Sequence, residues 1–146
     1  MNIQRSIEIN AMPEEVWSFL IDPDKVLEWY VPLTKFEYTS EQRSGVGAPF
    51  YFEENVPGGP LQLDCVITEW VENEALAFKM VSGNMMSNYE ERWKVEATPS
   101  GSRFTFAEQG EYASALLNKL IGPIAQRTSG STIEKMLLKL KNLVEG

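Results

Sequence analysis

Histidine is missing from all 146 residues, and cysteine occurs once, as Cys65. The first absence removes Ser-His-Asp and Cys-His nucleophilic machinery, together with any histidine-ligated metal site. A lone thiol forms neither an intrachain disulfide nor a thiolate metal cage, and it fits a reducing compartment. We therefore expect no metal and no cofactor. Long apolar runs are lacking too. The N-terminus, Met1-Asn2-Ile3-Gln4-Arg5-Ser6, has no hydrophobic signal core, and no stretch approaches membrane-spanning length. These features lead us to expect a cytoplasmic protein without membrane insertion. Bases are scarce: 13 Lys and Arg against 21 Asp and Glu leave a net charge of −8. That balance repels nucleic-acid backbones and anionic membranes. Lys135, Lys139 and Lys141 are read as a solvated helix face. Gly45-Val46-Gly47 lacks the third glycine of a dinucleotide fingerprint and is read as a turn, and no P-loop occurs. Catalysis, if any, must rest on carboxylates, tyrosines, lysines, arginines or hydroxyls.

What is present is alternation. Ile3 to Ile9 reads as a strand, and Pro13 to Ile21 as a helix with proline in its first turn and Glu14 and Glu15 at the positive end of its dipole. A short second helix runs to about Trp29, before Pro32. Strands follow at Lys35 to Thr39, Ala48 to Glu54, Leu61 to Val71, Leu76 to Val81, Ser87 to Ala97 and Arg103 to Tyr112. Their connections, Pro57-Gly58-Gly59-Pro60, Glu72-Asn73-Glu74, Gly83-Asn84 and Pro99-Ser100-Gly101, are hairpin material. Without linkers or repeats, residues 1–146 form a single α+β domain: a meandering sheet covered by a final helix.

Facing follows from parity. Phe50 and Phe52 share a face with Cys65 and Ile67, and a turn centred on Gly58-Gly59 pairs Phe52 with Cys65 and Phe50 with Ile67. Phe78 and Met80 point inward on the next strand. Tyr89, Glu91 and Trp93 share the inner face of the sixth strand, and Phe104, Phe106 and Glu108 that of the seventh. A turn at Pro99-Ser100 sets Trp93 against Phe106 and therefore Glu91 against Glu108. Two carboxylates opposed on an apolar face are costly unless they share a proton or meet a partner. They are the candidate catalytic pair; a two-residue register shift, a bulge or an exposed rim would dissolve it.

The chain ends in a helix whose apolar residues, Leu116 to Ile124 and Ile133 to Leu143, flank a small, polar middle of Thr128, Gly130, Ser131 and Thr132. Gly122-Pro123 and Ser129-Gly130-Ser131 are break signals, and Ser131 with Glu134 reads as a capping box. The stripe nevertheless keeps its phase, predicting one long kinked helix or two collinear pieces. A small polar centre leaves a hollow beneath it. Its expected lining is Phe50, Phe52, Cys65, Ile67, Phe78, Met80, Tyr89, Trp93, Phe104, Phe106, Ile124, Thr128 and Thr132, a composition suited to a hydrophobic small molecule. Met80, Met85 and Met86 are read either as an adaptable mouth or as core. The four tryptophans are read as packing, Arg127 as a surface ion-pair residue, and Cys65 as an inert small hydrophobe.

The opening Glu8-Ile9-Asn10-Ala11-Met12-Pro13-Glu14-Glu15-Val16-Trp17, with Asp22 and Trp29, resembles that of the START/Bet v 1-like superfamily. The ending, from Leu116 through Pro123 to Met136-Leu137-Leu138-Lys139-Leu140, is similar to its bacterial polyketide cyclase/dehydrase-like branch. The resemblance implies a helix-grip fold, seven antiparallel strands curled around the C-terminal helix with an internal apolar cavity, but carries no reaction. Three readings stay open. The first is a carrier of a lipid, isoprenoid or polyketide-like molecule. The second is a cofactor-free cyclase or dehydratase using Glu91 and Glu108, with Tyr89 or Tyr112. The third is an assembly factor or co-chaperone-like interaction protein.

Overall fold

Period-two alternation produces one antiparallel sheet of seven strands in the computed structural model, which describes residues 1–146. Strand β1 (Asn2–Ile9) leads into helices α1 (Pro13–Ile21) and α2 (Pro23–Trp29). Strands β2 (Leu33–Tyr38), β3 (Pro49–Val56), β4 (Gly59–Val71), β5 (Ala75–Gly83), β6 (Met86–Thr98) and β7 (Gly101–Tyr112) follow, and helix α3 (Ala115–Glu145) ends the chain. The sheet order is β1-β7-β6-β5-β4-β3-β2. Every hairpin neighbour is thus a sheet neighbour, and β1 closes onto β7. This is the helix-grip fold that the resemblance implies.

Local chemistry explains the two short helices. Pro13 and Pro23 occupy their first turns, where a missing N–H costs nothing. Asp22 ends α1 and caps α2, its side chain accepting from the Asp24 amide at 3.0 Å. Trp29 then turns inward and donates its indole N–H to the Phe19 carbonyl at 2.8 Å.

The β6–β7 register is the expected one: Val95 opposes Phe104, Trp93 opposes Phe106 and Glu91 opposes Glu108. Between β3 and β4 the expectation needs correction. Phe50 pairs with Cys65 and Phe52 with Leu63, two residues from the anticipated register. The turn sits on Pro57-Gly58 rather than Gly58-Gly59, because Val56 pairs with Gly59. Proline presets the first turn position, and Gly58, at φ +96°, supplies the left-handed second one. A two-residue slip preserves parity, so Phe50, Phe52, Cys65 and Ile67 still face inward.

Helix α3 is continuous, with Pro123 inside it. The Ser129-Gly130-Ser131 signal does not break it. Gly130 is buried because β1 approaches there: a Cβ on it would lie 2.7 Å from Nη2 of Arg5. Arg5 in turn donates from Nε to Glu134 at 3.1 Å, so Glu134 serves an ion pair rather than a capping box. The two halves of α3 differ. Ile133, Met136, Leu137 and Leu140 are buried, whereas Leu116, Leu120 and Ile124 are 60–66% exposed.

Inside the curl lies an aromatic core. Trp29, Tyr30, Phe50, Phe52, Phe78, Trp93, Phe104 and Phe106 are each at most 2% exposed. They meet edge to face, as in Trp29–Trp93 with centroids 5.2 Å apart and Phe50–Phe78 at 4.9 Å. Such pairs contribute about 0.5–1.5 kcal/mol beyond the area they bury.

Candidate functional site

Four inward positions on two neighbouring strands build the polar centre. Alternation places Tyr89, Glu91 and Trp93 on the inner face of β6, and the β6–β7 register brings Glu108 opposite Glu91. Gly110 stands opposite Tyr89, where a Cβ would come within 3.1 Å of the tyrosine ring. The glycine makes room for the ring, and the tyrosine hydroxyl then lands between the carboxyls. Tyr89 Oη lies 2.6 Å from Oε2 of Glu91 and 2.6 Å from Oε2 of Glu108. Glu91 also accepts from Tyr30 Oη at 2.8 Å and from Trp93 Nε1 at 2.9 Å.

These distances count protons. Tyr89 has one hydroxyl hydrogen, yet two carboxyl oxygens sit at short hydrogen-bond distance. One contact is made by that hydrogen; the other needs a hydrogen from a carboxylic acid. The geometry is satisfied when the Glu91–Glu108 pair holds at least one proton. Burial points the same way, since Glu91 is 3% exposed and Glu108 7%. Burial, then the charge of Glu108, pushes Glu91 up to about 8, against the pull of its three hydrogen-bond donors. Burial also raises Glu108, opposed by the Tyr89 bond and the Met1 amino group.

A cavity of about 110 Å³ opens beside this centre. Val56 and Pro57 at the β3–β4 tip, Met85 and Met86 at the β5–β6 tip, and Ile121, Ile124 and Ala125 on α3 form its apolar wall. Glu54, Tyr89, Glu108 and Tyr112 supply its polar groups. Met85 holds a left-handed φ of +64°, uncommon for a side-chain-bearing residue, which fixes the β5–β6 tip at the rim. Glu54 is raised well above the usual carboxylate range by burial, then by the charges of Glu108 and Glu91. A wider depression of about 320 Å³ on the outward side of β6 and β7, near Gln4, Thr68, Glu90 and Arg92, is open and mostly polar. It offers no apolar enclosure.

Of the lining expected from sequence, Tyr89, Ile124 and Thr128 border the cavity, as does Glu108. Phe50, Phe52, Cys65, Ile67, Phe78, Trp93, Phe104 and Phe106 are instead packed in the core, and the half-buried Met80 packs against it. Thr132 is half-buried outside the cavity wall, so the hollow lies one turn earlier on α3 than anticipated. Met85 and Met86 line the cavity, and Met86 is at the same time part of the buried core. Cys65 is buried, and burial pushes its thiol up, leaving it unreactive. Trp17 is buried with its indole N–H unpartnered, and Arg127 is exposed. No three His, Cys, Asp or Glu side chains gather at metal-binding distance. No helix is long and apolar enough to cross a membrane.

Besides the apolar wall residues, two polar groups were missed. Glu54 shares the parity of Phe50 and Phe52, so alternation alone marks it as inward-facing. Tyr30 had no such signal, because it reaches Glu91 from the end of α2, 61 positions away in the chain.

Comparison with known proteins agrees with this architecture. The structure of TTHA0849 from Thermus thermophilus matches with a TM-score of 0.83 at 18% identity, covering 99% of this chain and 97% of that one. A START superfamily protein from Mycobacterium smegmatis matches with a TM-score of 0.80 at 16% identity, over 99% and 97% of the two chains. The Zhui aromatase/cyclase from Streptomyces sp. R1128 gives 0.76 at 12% identity, over 99% and 93%. At these identities the likeness concerns the fold alone. In sequence, the uncharacterized protein Rv2574 of Mycobacterium tuberculosis is 25% identical over 122 residues, 82% of this chain and 66% of that protein. The family described as polyketide cyclase / dehydrase and lipid transport matches residues 1–145, and the chain belongs to it.

Proposed function

We propose that this protein binds an apolar small molecule of lipid, isoprenoid or polyketide-like character, with a polar group of the ligand against Tyr89 and Glu108. One observation carries this reading: a cavity with apolar walls ends on two groups that can hydrogen-bond a ligand. At about 110 Å³ it is close to the ~150 Å³ cavity known to hold benzene. One ring or a short branch fits inside, and a longer body continues over the exposed side chain of Ile124. The hollow also counts against an interaction protein with a fully packed interior.

Native mass spectrometry of the purified protein, followed by organic extraction, tests the proposal. A co-purified apolar molecule, or saturable binding of a hydrophobic dye that Ala125→Phe abolishes, is the expected result. Dye binding unchanged in Ala125→Phe, with no extractable ligand, would place any ligand elsewhere and defeat the proposal.

A second reading has its own observation. The proton shared by Glu91 and Glu108 lies beside Tyr89 at the cavity, where Glu108 could protonate or deprotonate a bound carbonyl compound. A cofactor-free cyclase or dehydratase would then convert a poly-β-ketone model compound, with Glu108→Gln slowing it by roughly 10²–10⁴-fold. Conversion at the same rate by Glu108→Gln would dismiss that chemistry.

A further inference from the structure

The cavity has more carboxyl groups than cations. Glu54 and Glu108 both border it, while no lysine or arginine does. Glu54 is half-buried at the cavity wall and makes no hydrogen bond or ion pair with any protein group. Glu108 is 7% exposed; its Oε2 contacts Tyr89, whereas its Oε1 has no protein partner and is not sealed off. The nearby ammonium of Met1 donates to the Gly110 carbonyl at 2.9 Å and acts on Glu108, not on Glu54. An unpartnered carboxyl on a partly enclosed, largely apolar wall gains most from a ligand that brings the missing positive charge. A ligand carboxylate would instead bring a charge of the sign that burial already disfavours on these side chains.

Resting on the cavity-binding reading above, we infer that the site selects an apolar ligand bearing a protonated amine. The ammonium sits between Glu54 and Oε1 of Glu108, and the hydrocarbon or aromatic body lies against Val56, Leu61, Met86 and Ile121. Tyr89 and Tyr112 also stand on the cavity wall.

Proton release accompanies this binding. Without ligand, burial keeps the carboxyls protonated; an ammonium ion makes their ionised forms favourable, so one proton passes to solvent as the ion pair forms. The groups facing Glu54 are Glu108 and Tyr112 from β7, Glu91 and Tyr89 from β6, and Tyr30 from the end of α2. The Met1 amino group stands at the rim. All the facing tyrosines are pushed upward and stay neutral, so the carboxyls are the groups that exchange protons when the amine binds.

The test is an NMR titration of the intact chain with 2-phenylethylamine, 2-phenylethanol and 3-phenylpropanoate. The amine should bind about tenfold or more tightly than the alcohol, the gain of one charge-assisted contact, and the carboxylate most weakly. Amine affinity should rise from pH 5.5 to 7.5, by up to about tenfold per unit for one proton released, while alcohol affinity stays flat. Glu54→Gln should bring the amine down to the level of the alcohol without weakening the alcohol. If alcohol and carboxylate match the amine, charge selection is overturned and the apolar cavity stands. If none of the three shifts resonances of Met86, Tyr89 or Ile121, both readings fall together.

Discussion

The two halves of α3 carry similar apolar spacing and meet opposite fates. Ile133, Met136, Leu137 and Leu140 are 0–3% exposed, while Leu116, Leu120 and Ile124 are 60–66% exposed. The C-terminal half lies over an aromatic floor already closed by α1 and α2, where Trp29, Trp93 and Phe104 interlock. The N-terminal half faces hairpin tips, Pro57-Gly58 and Asn84-Met85, that stand away from it and leave the cavity. Helical spacing decides which side chains share a face; whether the face is buried depends on what the sheet presents opposite it.

The hardest test of this contrast is truncation at each end. Trp93→Ala should cost about 3–5 kcal/mol, since it empties the core and removes a donor from Glu91. Ile124→Ala should change stability by less than about 0.5 kcal/mol. Comparable losses in urea unfolding would erase the distinction between the packed and open ends.

The polar centre between them gives the next largest effect. Glu91 and Glu108 have folded-state pKa values above their unfolded ones, so the folded chain binds more protons. The Glu91 contribution is complete below the unfolded value near 4.5 and is lost as pH rises through the folded value of about 8, and that of Glu108 has the same sign. Stability should therefore fall over that window by about 1.4 kcal/mol per pH unit for each extra proton held. Glu91→Gln should flatten the slope by one proton and leave neutral-pH stability unchanged or higher. Glu53, Glu69 and Glu145, lowered by their hydrogen-bond partners, titrate below the window and do not disturb it. An unaltered slope in Glu91→Gln would mean the shared proton lies elsewhere.

Filling the hollow gives a smaller change. Thr128→Leu should stabilise the fold by up to about 1 kcal/mol and weaken dye binding, because its added methyl groups enter cavity space. A lower melting temperature with undiminished dye binding would show that the open end is not a container. The smallest effect is at the start of α3, where the Ser114 hydroxyl accepts from the Leu117 amide at 3.4 Å. Ser114→Ala should cost about 0.5–1 kcal/mol. Hydrogen exchange should speed up over Leu116 to Leu120 and stay unchanged over Ile133 to Leu140; uniform acceleration along α3 would contradict two independent halves.

Much of this was legible because period-two patterning and turn chemistry are local. Pro99-Ser100 alone placed Glu91 opposite Glu108. Parity also marks Glu54, which a strand reading that ends at that residue passes over. The β3–β4 register escaped by two residues because Pro57-Gly58 and Gly58-Gly59 are both credible turns, and only pairing along the whole strands separates them. Gly130 read as a helix breaker although its hydrogen atom is what lets Arg5 approach. Nothing local announces a neighbour from β1.

The amino-acid order by itself determined the strands, their inner faces, the β6–β7 register and the exclusion of histidine chemistry, because each depends on residues close in the chain or on composition. Tertiary structure decided the rest: that Tyr30 reaches Glu91, that the aromatic residues fill the interior instead of lining it, and that the hollow lies under Ile121 to Ser129. These depend on how far a curled sheet stands from the helix it holds, a distance set by many remote side chains packing at once.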